Sequence, residues 1–399
     1  MRILHTSDWH FGKNLEGNSR ILEQRQFIDE LSMICDNENV DLIVMAGDVY
    51  DNGNPSSSAE ELFYKGCKKL TDNGKRPIII IAGNHDSPER LEAPDSLMYE
   101  HSIIVQGFPK SVTKNGDYGY YSIKDSCEGF FRIQIGDETV GVITMPYPSE
   151  KRLGEILHTD ISREEEQGIT YSQEVGKIFS KLEENYVDSD INIAIGHFFV
   201  AGGEEVGSER PIQLGGALAV EPSALPKKAQ YIALGHLHKP QTVSGTNKRA
   251  YYSGSPIKYN KREISYKNSV NIVDLKPMSE PNVRKVELTN YKPIEEWTFE
   301  CIEDAIEMCR EKSEENSWVY IVINSHRTLN QSEIKEMRSL KKDIVEIFVN
   351  VSENKKEDRV ENIKDKSIEN QFKDFYFKEE NVEPSEDIVK LFMELMEEV

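Results

Sequence analysis

Residues 78–82 read Ile-Ile-Ile-Ile-Ala, and the next four are Gly-Asn-His-Asp. An apolar run this short and this rich in β-branched residues predicts a strand buried on both faces. Its break into turn-prone, metal-ligating residues puts polar chemistry at the strand's C-terminal end. The same punctuation recurs. Residues 3–7 lead to Asp8-Trp9-His10, residues 42–46 to Gly47-Asp48-Val49-Tyr50-Asp51, residues 191–195 to Gly196-His197, and residues 231–234 to Gly235-His236-Leu237-His238. Five of the nine histidines fall in these motifs. The pattern predicts strand ends converging on one edge, where ligands from several strands can meet.

Helical spacing appears between the strands, over residues 19–38, 56–70, 88–99 and 163–185. Further strands are expected at 118–123, 130–135 and 139–145, and a meander of strands over 241–275. Lys276-Pro277-Met278-Ser279-Glu280-Pro281 reads as a linker, because two prolines interrupt it. Beyond it, strand 283–288, helix 301–314, strand 319–324, helix 331–340 and strand 345–351 suggest a small β-α-β-α-β unit. From residue 352 the chain is strongly charged. It ends in a helix over 384–399, with Ile388, Leu391, Phe392, Leu395 and Met396 at helical spacing. The expected divisions are therefore 1–276, 282–351 and 352–399.

A chain of 399 residues has room for two or three such domains. Its 48 Lys and Arg against 70 Asp and Glu give a net charge of −22, which excludes a uniformly basic coat for nucleic acid or anionic membrane. The five cysteines are odd in number and form no Cys-x-x-Cys pair, which argues against a disulfide framework or a thiolate zinc site and for a reducing compartment. No apolar run approaches the ~20 residues of a membrane span, and the first residues are too polar for a signal peptide. The expectation is a soluble, cytoplasmic protein with no membrane partner.

In an extended segment residues two apart point the same way, so Asp8 with His10, and His236 with His238, can each face one site. Asp, Asn and His without Cys suit Mn2+, with Mg2+, Fe2+ and Zn2+ as alternatives. The candidate ligands exceed one ion's needs. They imply two ions sharing a carboxylate, at a separation of about 3.5–4 Å.

Taken together, Met-Arg-Ile-Leu-His-Thr-Ser-Asp-Trp-His-Phe-Gly, Gly-Asp-Val-Tyr-Asp, Gly-Asn-His-Asp-Ser, Gly-His-Leu-His-Lys-Pro-Gln and Tyr-Ser-Gly-Ser-Pro resemble the calcineurin-like metallophosphoesterase superfamily. Nearly the whole chain is similar to its nuclease members that work with a coiled-coil ATPase in bacterial DNA exonuclease complexes. The resemblance implies a four-layer α-β-β-α sandwich, a small β-α-β-α-β capping domain and a C-terminal helical tail that docks the ATPase. It implies one metal ion on Asp8, His10, Asp48 and His238, and a second on Asp48, Asn84, His197 and His236, with Asp48 bridging. His85 is implied as the residue that assists the leaving oxygen, with Asp86 orienting it. Archaeal and eukaryotic relatives carry a second active-site histidine where this chain has Asp51. The implied activity is ATP-dependent, Mn2+-dependent 3′→5′ exonuclease action on double-stranded DNA ends and endonuclease action on single strands or hairpins, in repair, recombination and replication. A homodimer is implied, through the helices near 56–70 and 88–99.

One stretch defies the net charge. Residues 227–267 hold nine basic residues and a single acid, Glu263. They are expected to line the DNA track, with Lys239, Lys258, Lys261 and Arg262 as candidate contacts. Two other readings stand beside this one: a small-nucleotide phosphodiesterase of the same fold, and a non-catalytic scaffold.

Overall fold

A computed structural model of the chain describes residues 1–149, 152, 164–209, 218–351, 367–380 and 382–397. It divides into two units, Met1–Tyr291 and Lys292–Val399.

The first unit holds two sheets. The strand order of one is Asn282–Glu287, Ser269–Asp274, Arg2–Thr6, Leu42–Met45, Ile78–Ile81, Ile103–Gln106. The other runs Gln241–Thr242, Ala250–Tyr252, Tyr231–Gly235, Ile191–His197, Glu138–Met145, Phe130–Ile135, Tyr121–Cys127, Gly116–Asp117. The central strands of both are parallel. Side-chain alternation assigns each face a different neighbour. Leu4, Ile43, Met45, Ile78 and Ile80 pack on helices Ile21–Asn37 and Ser57–Leu70. Ile3, Val44, Ile79 and Ile81 meet Val140, Val142, Ile193, Ile195 and Ala233 of the second sheet. That sheet's outer face, with Ile143, Met145, Ala194 and Leu234, is covered by Val175 and Phe179 of helix Glu164–Leu182. These are the four layers α-β-β-α expected from sequence.

Three local differences have physical causes. The helix expected over 88–99 is two short ones, Pro88–Glu92 and Asp95–Met98, because Pro94 lacks the N–H a continuing helix needs. The strand Asn282–Glu287 does not open the small unit. It pairs antiparallel with Ser269–Asp274 and closes the first sheet. The residues read as a linker are the tight turn between them, with Ser279 N–H on Lys276 O at 3.1 Å and Met278 at φ 61°. Val286 and Leu288 pack on the first core and Val283 on the inter-sheet core, which fixes this register.

The second unit begins with Ile294–Phe299. With Trp318–Ser325 and Ile344–Val351 this strand makes a parallel three-stranded sheet in chain order. Helices Ile302–Glu311 and Gln331–Leu340 are its crossovers, the second opened by a capping box of Asn330 and Glu333. Helices Ile368–Glu380 and Glu386–Glu397 follow, with Phe372 and Phe392 stacked at 3.9 Å between centroids. The first of these lies in the segment read only as a charged tether. Most of that tether, 352–366, lies outside the described residues.

Candidate metal centre

The strand ends do converge. Past Thr6 and Met45 the two chains stay zipped: Asp8 N–H donates to Gly47 O at 3.0 Å, His10 N–H to Asp48 O at 3.0 Å and Phe11 N–H to Val49 O at 2.9 Å. To turn their side chains onto one spot, the chains leave the β-region. Asp8, His10, Asp48 and His236 have φ of 54°, 45°, 57° and 102°. Non-glycine residues held there cost ~1–3 kcal/mol each and cluster at functional sites. Glycine is required at neighbouring positions for space. A Cβ on Gly235 would sit 1.9 Å from Ala46 O, and one on Gly83 would sit 2.1 Å from Asp48 Oδ1.

Two groups of side chains meet at Asp48. In one, Asp8, His10 and His238 place ligand atoms within 4.8 Å of one another, and His10 Nε2 is 3.1 Å from His238 Nε2. In the other, Asn84 Oδ1 is 2.9 Å from His197 Nε2 and 3.1 Å from His236 Nδ1. Asp48 Oδ2 reaches both, at 3.7 Å from His10 Nε2 and 3.4 Å from His197 Nε2. All seven residues implied as ligands are therefore brought together. His85 N–H donates to Asp48 Oδ1 at 2.9 Å, which holds the carboxylate in place from the far side.

Tautomers show why these groups suit cations. His197 Nδ1 lies 2.8 Å from Ala46 O, a pure acceptor, so the ring donates there and, when neutral, its Nε2 is a bare lone pair. That lone pair points at the Asn84 Oδ1, another acceptor. Separations near 3 Å match the edge of a coordination octahedron with bonds of about 2.1 Å. Electrostatics agree. Burial opposes charge on both Asp48 and His197. Their mutual attraction and hydrogen bond overcome it, holding Asp48 well below the usual carboxylate range and raising His197 to about 9. The site demands positive charge. Asp8 is pushed up to about 6 and His236 down to about 3, in each case chiefly by burial.

The neighbours of His85 differ from the expected arrangement. Its Nδ1 lies 2.7 Å from the backbone carbonyl of Asp51, which orients the ring and leaves Nε2 4.0 Å from Asp48 Oδ2. Asp86 does not orient it. The Asp86 carboxylate instead accepts the N–H groups of Val49 (3.1 Å), Tyr50 (3.0 Å) and Gly83 (2.8 Å), stapling two ligand loops together. The Asp51 side chain pairs with Lys13 at 3.1 Å.

The basic stretch is also redistributed. Lys258 does not face outward: it is buried, and its ammonium donates to the backbone carbonyls of Glu263 (2.8 Å) and Tyr266, a structural clamp rather than a DNA contact. Arg249 donates to the carbonyls of Lys227 and Ala229. Lys239 is half-buried and pairs with Glu204; Arg262 is exposed and donates to Gly207 O; Lys261 is half-buried. Sequence reasoning passed over Glu263, which lies 2.8 Å from His238 Nδ1. The available signal was its position as the one acid in a basic stretch carrying two candidate ligands.

The family model of the calcineurin-like phosphoesterases matches residues 1–240. The chain is 39% identical over 398 residues to a Bacillus subtilis protein named as the SbcD subunit of nuclease SbcCD, covering 99% of this chain and 97% of that one. A protein of the same name from Rhodobacter capsulatus is 34% identical over 280 residues, 69% of this chain and 66% of its own. Fold and site thus define a calcineurin-like phosphoesterase with a cluster of Asp, Asn and His side chains that could hold divalent metal. The near-complete match narrows this further: the chain belongs to the SbcD family of nuclease subunits.

Proposed function

We propose that the chain is the nuclease subunit of an ATP-dependent DNA exonuclease. It hydrolyses phosphodiester links with two divalent ions, Mn2+ foremost. It trims double-stranded ends 3′→5′ and cuts single strands and hairpins, in repair, recombination and replication. The observation that carries this is the meeting of two lone-pair groups at one oxygen, Asp48 Oδ2, with His85 beside it.

Asp8, His10, Asp48 and His238 hold one ion; Asp48, Asn84, His197 and His236 hold the other. Ions bound there supply positive charge for the phosphate oxygens and acidify water at neutral pH. His85, its Nδ1–H fixed by the Asp51 carbonyl, holds a proton at Nε2 for the departing 3′-oxygen, within the ~10²–10⁴-fold usual for general acid catalysis. Lys239, Lys261 and Arg262 lie along the DNA approach. The parallel unit from Lys292 serves as the capping domain.

An SbcC-like coiled-coil ATPase docks on the C-terminal helix pair, where Phe375, Leu391, Leu395 and Met396 are exposed. A homodimer forms through the helices carrying the exposed Tyr64 and Leu97. Among the described residues no helix is long and apolar enough to cross a membrane. The five free thiols favour the cytoplasm. The test is Mn2+-dependent cleavage of linear and hairpin DNA, with and without the ATPase. ATP-stimulated cleavage supports the reading. Hydrolysis of a small chromogenic phosphodiester with no DNA cleavage in either setting would replace it with the small-nucleotide reading.

A further inference from the structure

One candidate ligand is backed by a buried carboxylate. Glu263 lies in the turn Lys261–Ser265, fully enclosed, with Oε1 2.8 Å from His238 Nδ1 and Oε2 accepting Tyr259 N–H at 2.8 Å. Oε2 already accepts an N–H, and Oε1 faces the ring as the second acceptor of the carboxylate. The His238 ring therefore donates from Nδ1, where Ser208 Oγ also lies at 3.1 Å. In the neutral ring Nε2 is bare, and it lies 3.1 Å from His10 Nε2.

The turn that carries Glu263 is itself held on several sides. The Lys258 ammonium donates to Glu263 O, and Arg20 donates to Lys258 O at 2.6 Å. The Tyr259 hydroxyl donates to Trp9 O, and Gln24 Nε2 reaches both that hydroxyl (3.2 Å) and His10 O (2.8 Å). Among the described residues nothing equivalent stands behind the other group. His197 leans on a neutral carbonyl, and the second ring nitrogen of His236 is buried without a partner.

We propose that Glu263 is a positioning residue. It locks His238 in the ligating tautomer, and the ion held by Asp8, His10, Asp48 and His238 depends on it while the ion at Asn84 does not. This rests on the two-ion reading of the site. A carboxylate behind a ligating histidine raises its basicity, and loss of such a partner costs ~10–100-fold in metal affinity. The Glu263→Gln variant has the same shape but one acceptor facing two donors. Either its amide NH2 opposes Tyr259 N–H, or it drives the His238 proton to Nε2.

The test is Mn2+ titration calorimetry on the full chain, with Asn84→Ala to mark the other position. The wild type is expected to bind two ions. In E263Q one should weaken about 10–100-fold, the other should stay within twofold, and excess Mn2+ should restore the cleavage rate. Two unchanged ions in E263Q overturn the role of Glu263 alone. So does a joint loss of both ions that excess Mn2+ cannot restore, since that is what a merely structural residue gives. Absence of Mn2+ binding in the wild type overturns the two-ion reading itself. If E263Q does not fold, 15N NMR of the Mg2+-loaded wild type decides: His238 as the Nδ1–H tautomer supports the proposal, and the Nε2–H tautomer overturns it.

Discussion

Gly83→Ala isolates the geometric demand at the bridging carboxylate. Gly83 has an ordinary φ, so alanine adds no backbone strain; the whole effect is contact. The new Cβ would sit 2.1 Å from Asp48 Oδ1, 2.7 Å from its Cγ and 2.3 Å from its backbone N. Carbon and oxygen do not pack closer than about 3.0 Å, so the carboxylate and its loop must retreat by about 1 Å. The inserted methyl costs ~1–3 kcal/mol in overpacking. A misplacement of about 1 Å at a reacting centre costs ~10²-fold in rate. Because Asp48 Oδ2 serves both groups, both ions should weaken together. Gly53→Ala is the matched control, since its Cβ would meet nothing closer than Ser87 Cβ at 3.6 Å. The assays are Mn2+ calorimetry, thermal melting and phosphodiester hydrolysis. A folded G83A protein with wild-type Mn2+ affinity would refute the placement of Asp48 between the two groups.

His85→Ala should leave folding and Mn2+ binding intact while slowing DNA cleavage ~10²–10⁴-fold. Asp86→Ala should instead lower the melting temperature, because three backbone N–H groups lose their acceptor; equal behaviour of the two variants would contradict this division of roles. His5 is buried, and burial depresses it to about 3 from its ordinary 6.5. The unfolded chain therefore binds that proton first. The stabilisation is complete above pH 6.5 and drains as pH falls toward 3, by ~1.4 kcal/mol per pH unit. Denaturant melts of metal-free wild type and His5→Gln across that window should differ in slope. A triple Lys239/Lys261/Arg262→Ala variant should flatten the salt dependence of DNA binding by roughly one unit of slope per lost phosphate contact. Lys258→Ala should destabilise the fold, and an unchanged melt would refute its clamp role.

Much of the site was legible because its signal is local. A strand that ends in Gly-Asn-His-Asp states its own geometry, and the seven candidate ligands needed no long-range knowledge to collect. What stayed hidden depends on which backbone group lies opposite. Asp86 follows His85 directly, yet its partners are Val49, Tyr50 and Gly83, and no spacing rule names them. Lys258 resembles any solvent-facing lysine until three-dimensional packing supplies carbonyls for its ammonium. The strand Asn282–Glu287 alternates weakly, with Arg284 and Lys285 exposed, so its place at an edge of the large sheet is decided by pairing rather than by pattern.

The strained backbone explains how so many buried acceptors can coexist before any ion arrives. Four ligand-bearing residues sit at positive φ. At ~1–3 kcal/mol each, that strain would relax if the loops were free. They are not free. Asp8 Oδ1 accepts His236 N–H at 3.0 Å, Asp48 Oδ1 accepts His85 N–H at 2.9 Å, and Asp86 staples the loops that carry Asp48 and Asn84. Asp8 is thus tied to the backbone of the ligand His236, and Asp48 spends Oδ1 on the His85 backbone while keeping Oδ2 for the centre. The consequence is a site shaped by the protein rather than by the metal. Chelation should therefore lower stability by the lost binding free energy alone, leaving the far-ultraviolet spectrum and the two-sheet core unchanged.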